Sequence, residues 1–176
     1  MRENFPASYK LVRASEGGND DDPDDSGGRT SRGILQKEYT PWLKEKGRPN
    51  CDVWKAPEQD IHDIYFEEYW LPVADKLPIG VDYLFFDLHV NGGLGRAAKI
   101  LQLAVGFTGK DVDGHVGPMT RAAVSAMDPV TLIKKFTSIK EDWYRSIAHG
   151  RNAKFLKGWI NRSEDVLRDA LKMVKG

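Results

Sequence analysis

The chain has 176 residues, 40% of them hydrophobic and 30% charged, with 26 Lys/Arg balanced by 26 Asp/Glu. That is enough length and apolar content for one domain with a real core. A net charge of zero argues against whole-chain electrostatic capture by nucleic acid or an anionic surface, and no window is apolar enough to span a membrane. The single cysteine, Cys51, rules out an intramolecular disulfide.

Phe5, Tyr9 and Val12 fall at i, i+4 and i+7 and predict a short amphipathic helix, stopped by Glu16-Gly17-Gly18. Residues 19 to 33 hold five Asp, three Gly and one Pro, which fits an extended loop or small hairpin and nothing more regular. Ile34 to Lys46 reads as a helix stopped by Gly47. Pro57 opens another at its first turn, and Ile61, Ile64, Tyr65 and Tyr69 keep helical spacing as far as Pro72. Val81 to Val90 is apolar enough for a buried helix or strand; its helical surroundings favour helix.

Beyond Gly92-Gly93 the spacing predicts a helix over Leu94 to Val105, with Gly106 as its stop. Asp111 to Pro118 is a turn, and Thr120 to Met127 reads as helical. A long helix runs to about His149, with Asp128 as N-cap and Pro129 at N1. Two final helices are expected, 152 to 160 and 163 to 175. The fold class is therefore mainly α with one small β element. It is divided as lobe 1–93 and lobe 94–176, packed as one unit.

Charge is unevenly spread. Residues 16 to 25 carry six acids and no base, while 130 to 176 carry eleven Lys/Arg against five Asp/Glu. A basic segment of this kind suits a polyanionic polymer, or simply solvated helix faces.

Chemistry concentrates in Glu16-Gly17-Gly18, then Asp25-Ser26-Gly27-Gly28-Arg29-Thr30, then Gly33-Ile34. A carboxylate at a helix end faces a glycine-rich loop that carries a second carboxylate and a hydroxyl. Glycoside hydrolysis needs this inventory: one protonated acid for the leaving oxygen, and a second carboxylate to attack or to orient water. A solvated acidic turn is the plain alternative. A calcium loop is a second, since Asp20, Asp22 and Asp24 have 1-3-5 spacing. Asp25 and Ser31 stand where that loop needs glycine and glutamate, so the EF-hand pattern fails and no metal is assigned, a looser calcium site being the alternative left open. His62, His89, His115 and His149 are scattered without paired spacing, which disfavours a zinc amidase.

The Glu16-Gly17-Gly18 segment with Asp25, Gly27-Gly28, Thr30 and Gly33-Ile34 resembles the signature of glycoside hydrolase family 108, which includes phage N-acetylmuramidases and bacterial proteins once called secretion activators. Tyr69-Trp70-Leu71-Pro72, Asp87-Leu88-His89-Val90-Asn91-Gly92-Gly93 and Gly158-Trp159-Ile160-Asn161-Arg162 resemble later segments of the same family, in order along the chain. The resemblance implies a lysozyme-like helical fold with a hairpin beside the catalytic glutamate. It implies cleavage of the β-1,4 bond between N-acetylmuramic acid and N-acetylglucosamine, with Glu16 as general acid.

The E-x8-D-x4-T spacing is also similar to the Glu/Asp/Thr trio of T-even phage lysozymes, which implies that Asp25 and Thr30 position the water. Tyr69, Trp70 and Asn91 are candidate glycan contacts, as are Trp143, Tyr144 and Trp159, because sugars favour aromatic faces and planar polar groups. Asp113-Gly114-His115-Val116-Gly117-Pro118-Met119-Thr120 resembles the turn of peptidoglycan-binding helical modules.

The expected partner is peptidoglycan, with no nucleic acid, no membrane span and no cofactor, acting as a monomer. The first 13 residues lack a secretory apolar stretch, so the expectation is accumulation in the host cytoplasm before release to periplasmic peptidoglycan. A non-catalytic wall-binding protein and a wall amidase or peptidase are the rival readings.

Overall fold

The computed structural model describes residues 2–15, 19, 20 and 29–176, the backbone alone at 19 and 20. Eight α-helices and three two-residue strands are found among them. A 3-10 turn, Arg2–Asn4, leads into α1, Phe5–Ser15, which buries Phe5, Ser8 and Val12 on one stripe. The strands β1 (Asn19–Asp20), β2 (Thr30–Ser31) and β3 (Ile34–Leu35) form an antiparallel sheet in chain order. Asp20 lies opposite Thr30, and Ser31 opposite Ile34.

The β2–β3 turn is Arg32-Gly33, with φ of 52° and 83°. Two left-handed residues match the twist of the flanking strands, and this is the tightest hairpin connection available. Arginine is strained there, and its own contacts hold it. Tyr65 Oη and Arg13 Nη1 donate to its carbonyl, while its guanidinium reaches Glu58 at 2.8 Å and the Ala56 carbonyl at 2.6 Å.

Helix α2 is Gln36–Glu45, shorter than the expected 34 to 46, because Ile34 and Leu35 are claimed by the sheet. Glu38 accepts from the Leu35 amide at 3.1 Å, which satisfies an orphan donor at the helix start. Gly47 ends this helix as expected, and Gly106 ends a later one. At each, a left-handed glycine lets the next amide reach back five residues, Arg48 to Leu43 and Phe107 to Gln102.

Helix α3, Glu58–Ile64, runs into a π-helical stretch, Tyr65–Trp70. There the Leu71 amide bonds to Phe66, five residues back. The wider turn changes which residues share a face. Regular spacing predicts Tyr65 and Tyr69 together; the structure buries Tyr65 and Trp70 and leaves Tyr69 at the rim.

Helix α4, Val81–Gly92, is the centre of the molecule, with every residue from Val81 to His89 buried. An all-round apolar helix needs neighbours on every side. It touches α1, the π-helical stretch, α5 (Leu94–Ala104), α7 (Pro129–Ile147) and α8 (Leu156–Lys175). Asp128 caps α7, accepting from the Thr131 amide and hydroxyl at 2.8 Å each. Helix α6 is Pro118–Ser125, two residues earlier than expected, with Pro118 in its first turn.

The two expected terminal helices are one. A 3-10 segment, Gly150–Phe155, feeds directly into α8, and Ser163, the expected start of the second of them, is buried inside that helix. Nothing between 160 and 163 breaks a helix, and packing along α7 and α4 sustains twenty residues. One apolar core runs from Phe5 to Ala170 through both halves of the chain. No helix among the described residues is long and apolar enough to cross a membrane.

Candidate active site

Helix α1 delivers its last residue, Ser15, to the lip of a cleft of about 450 Å³. Leu11, Ala14 and Tyr83 line it from α1 and α4, and Arg162 and Asp165 from α8. Glu16 follows Ser15 in sequence; it and Asp25 lie outside the described residues. Thr30 is described. It is half-buried in β2, and its carbonyl accepts from Trp54 Nε1 at 3.1 Å.

The placement of α1 against the hairpin is set by polar ties. Glu58 on α3 accepts from Tyr9 at 3.0 Å and from Arg32 at 2.8 Å, with Arg13 at 3.7 Å. Burial by itself would raise the Glu58 carboxyl, but the hydrogen bonds from Arg32 and Tyr9 and the charges of Arg13 and Arg32 hold it below the usual range. The same contact pushes Tyr9 up to about 12, burial being the larger cause.

On α4, Asp87 is buried and accepts from Arg162 Nε at 3.0 Å and Nη2 at 2.8 Å, both on Oδ1. Lys140 of α7 is completely buried beside this pair. Burial pushes its ammonium below the usual lysine range, and the Asp87 charge opposes that shift. Among the described residues, neither Lys140 Nζ nor Asp87 Oδ2 has a hydrogen-bond partner. Arg162 also lines a second cleft of about 330 Å³, walled by Asn91, Trp143, Tyr144 and Trp159.

The expected glycan contacts separate here. Asn91 is exposed at the end of α4, its amide donating to the Asp87 carbonyl at 2.7 Å, and it lines the second cleft. Tyr69 lines a smaller hollow with Glu38, Glu68 and His89, and its hydroxyl donates to Glu38 at 3.1 Å. Burial first, then the Glu38 carboxylate, raises the Tyr69 phenol. His89 Nδ1 lies 3.0 Å from the Tyr69 carbonyl, and burial lowers its pKa.

Trp70 is a correction. It is 0% exposed and packs against Phe5 and Phe86 at centroid distances of 5.5 Å and 5.4 Å, so it belongs to the core and offers no face to a sugar. Sequence reasoning singled out the segments that contain Asp87 and Arg162 but not the pair. Their spacing in the chain carries no signal for a contact between α4 and α8. It missed Lys140 and Glu58 altogether, since each reads as an ordinary solvated charge.

Helices gathered round one buried helix, with a small sheet set against the end of the first, form a lysozyme-like, mainly α fold, and its class is fixed by its relatives. Comparison with known proteins narrows this. The sequence model described as "Glycosyl hydrolase 108" matches residues 9–93, and the one described as "Predicted Peptidoglycan domain" matches residues 96–164. Among solved structures, SagA from Brucella abortus is 32% identical with a TM-score of 0.83; the alignment covers 100% of this chain and 98% of that one. No curated protein sequence matches significantly. The chain belongs to the glycosyl hydrolase 108 family. It is a glycosidase that hydrolyses peptidoglycan, with a peptidoglycan-binding region in its second half.

Proposed function

We propose that the protein is an N-acetylmuramidase of endolysin type, cutting the β-1,4 bond between N-acetylmuramic acid and N-acetylglucosamine. In this reading Glu16 is the general acid, and Asp25 and Thr30 position the attacking water. Residues 1–93 form the catalytic lobe and 94–176 the wall-binding lobe. The protein acts as a monomer, is held in the host cytoplasm until release, and then lyses the cell from the periplasmic side.

The observation that carries this reading is the strand register. β1 begins three residues after Glu16 and pairs with β2, Asp20 opposite Thr30. The segment with Asp25 therefore connects two paired strands, and the hydroxyl of Thr30 sits on the strand beside the chain that has just left α1. An acid next in sequence to the end of α1, a carboxylate in the segment between the two paired strands and the Thr30 hydroxyl are the parts that water-assisted glycoside hydrolysis requires.

Mass spectrometry of fragments released from purified sacculi tests the reading. A muramidase leaves reducing N-acetylmuramic acid ends, and Glu16→Gln removes that release while the helical circular-dichroism signal stays. Cleaved peptide with intact glycan would instead identify an amidase or peptidase. Full release by Glu16→Gln would remove Glu16 from the mechanism.

A further inference from the structure

The second cleft has a wall of stacked rings. Trp143 lies 5.0 Å from Tyr144 and Tyr144 is stacked on Trp159 at 5.4 Å; outside the cleft lining, Phe155 is stacked on Trp159 at 6.0 Å. Mutual stacking fixes the rings as a rigid apolar surface at little entropic cost to a ligand. Cations cap both ends: the Arg96 guanidinium is 4.7 Å from the Trp143 centroid, and the Lys154 ammonium 4.9 Å from that of Phe155.

Arg96, which touches the ring-walled cleft only through Trp143, lines a neighbouring hollow of about 390 Å³ with Lys99, His115 and three glycines, Gly92, Gly95 and Gly114. Gly114 lines this hollow with a φ of 84°, a conformation that favours glycine, and a Cβ there would stand 3.3 Å from the Lys99 side chain. Asp113 is the acid on its wall, and its carboxylate is taken up by Gln102 at 2.7 Å and the His115 amide at 2.8 Å. Arg96 and Lys99 are exposed and make no ion pair among the described residues. Residues 143 to 163 contribute five Lys/Arg and no Asp/Glu.

We propose that the ring-walled cleft and the glycine-walled cationic hollow are one docking surface for a carboxylate-bearing peptidoglycan strand. An N-acetylated sugar lies against Trp143, Trp159 and Asn91, and the carboxylate of an attached peptide lies against Arg96 and Lys99. The cleft is at the lower end of the range for ligand pockets, about 300 Å³ upward, which suits one sugar ring. The charge pattern selects a polyanion. Polar Asn91 and the concave ring wall favour a sugar chain over a lipid surface, which needs an exposed apolar face. The proposal rests on the peptidoglycan reading above and adds where and by what chemistry the strand is held.

The test is cosedimentation in the cold with intact sacculi, comparing the wild-type protein with the doubly substituted Arg96→Gln/Lys99→Gln protein. Both positions are exposed, so the fold survives. The expected result is about tenfold weaker binding and a raised KM on sacculi, the scale of two screened charge contacts. Amidation of the sacculus carboxylates should weaken the wild-type protein to the same degree and the variant no further. Equal binding by variant and wild type overturns the proposal. So does stronger retention on phosphatidylglycerol vesicles than on sacculi. Reducing-end release by the wild-type protein, measured alongside, tests the glycosidase reading itself, so the two can fail separately.

Discussion

Arg162 and Asp87 stand 75 residues apart in the chain, yet two guanidinium nitrogens of one, at 3.0 Å and 2.8 Å, share a single carboxylate oxygen of the other. The pair clamps α8 to the central helix, and Arg162 lines both the cleft of about 450 Å³ and that of about 330 Å³. Removing one partner of a buried pair leaves the other desolvated and uncompensated. Arg162→Met should therefore destabilise the fold by about 3 kcal/mol. Urea denaturation measures this directly, and a loss below about 1 kcal/mol would show that the pair is a surface-like contact with little structural weight.

Lys140 predicts a pH dependence with the same sign as that of a depressed carboxylate, but in the range below the usual lysine pKa. Its folded pKa is lowered, so between that value and 10.5 the unfolded chain binds more protons than the folded one. Stability contributed by this group is present above 10.5 and is lost as pH falls through the lowered folded value. The stability difference between the wild-type protein and Lys140→Met should shift in favour of wild type as pH rises toward 10.5. Taking the difference cancels the tyrosines, which titrate in both proteins. A difference that stays flat between neutral and alkaline pH would mean that Lys140 is as well solvated folded as unfolded.

Glu58 has the usual carboxylate sign. Its folded pKa lies below 4.5, so its stabilising effect is complete above 4.5 and disappears as pH falls through the lowered value. Its side chain is 60% exposed, which screens the contacts with Arg32 and Arg13. Glu58→Gln should then cost less than about 1 kcal/mol at neutral pH and nothing in strong acid. Thermal melts at the two pH extremes check this. A cost that is constant with pH would assign the effect to packing instead of charge.

Trp70 separates a core role from a sugar contact. Trp70→Ala should cost about 3 to 5 kcal/mol, the range for emptying a buried aromatic site. Trp70→Phe should keep KM on sacculi within a factor of about two, because no ring face reaches the surface, and a few-fold change in KM is well below the tenfold that 1.4 kcal/mol of lost contact would give. A large rise in KM for Trp70→Phe, with stability kept, would return Trp70 to the glycan path.

Much of the helical plan is legible in the chain because it rests on local physics. Asp128-Pro129 starts α7 with a side-chain cap and a proline in the first turn, and Gly47 and Gly106 end their helices by adopting φ values that other residues avoid. The mainly helical class and the small hairpin after α1 follow in the same way, from apolar spacing and from an acidic, glycine-rich stretch that supports little else. Three departures came from packing. The sheet took Ile34 and Leu35 from α2, the π-helical stretch exchanged Tyr69 for Trp70 on the buried face, and α8 ran unbroken across the expected gap at 161–162.

For the candidate site, the segments of interest could be read in sequence because residue types such as Glu16, Asp25, Thr30 and Asn91 carry their chemistry with them. Which of the aromatic residues face a groove could not, since Trp70 and Trp159 are the same side chain until burial separates them. Sequence alone determined the element order, the caps and stops and the chemical inventory, all of which depend on a residue and its near neighbours. Only the tertiary structure decided that Asp87 meets Arg162, that Lys140 is sealed beside them and that Arg96 lies over the Trp143 ring. Contacts across a core depend on how whole helices stack, and no short window of sequence encodes that.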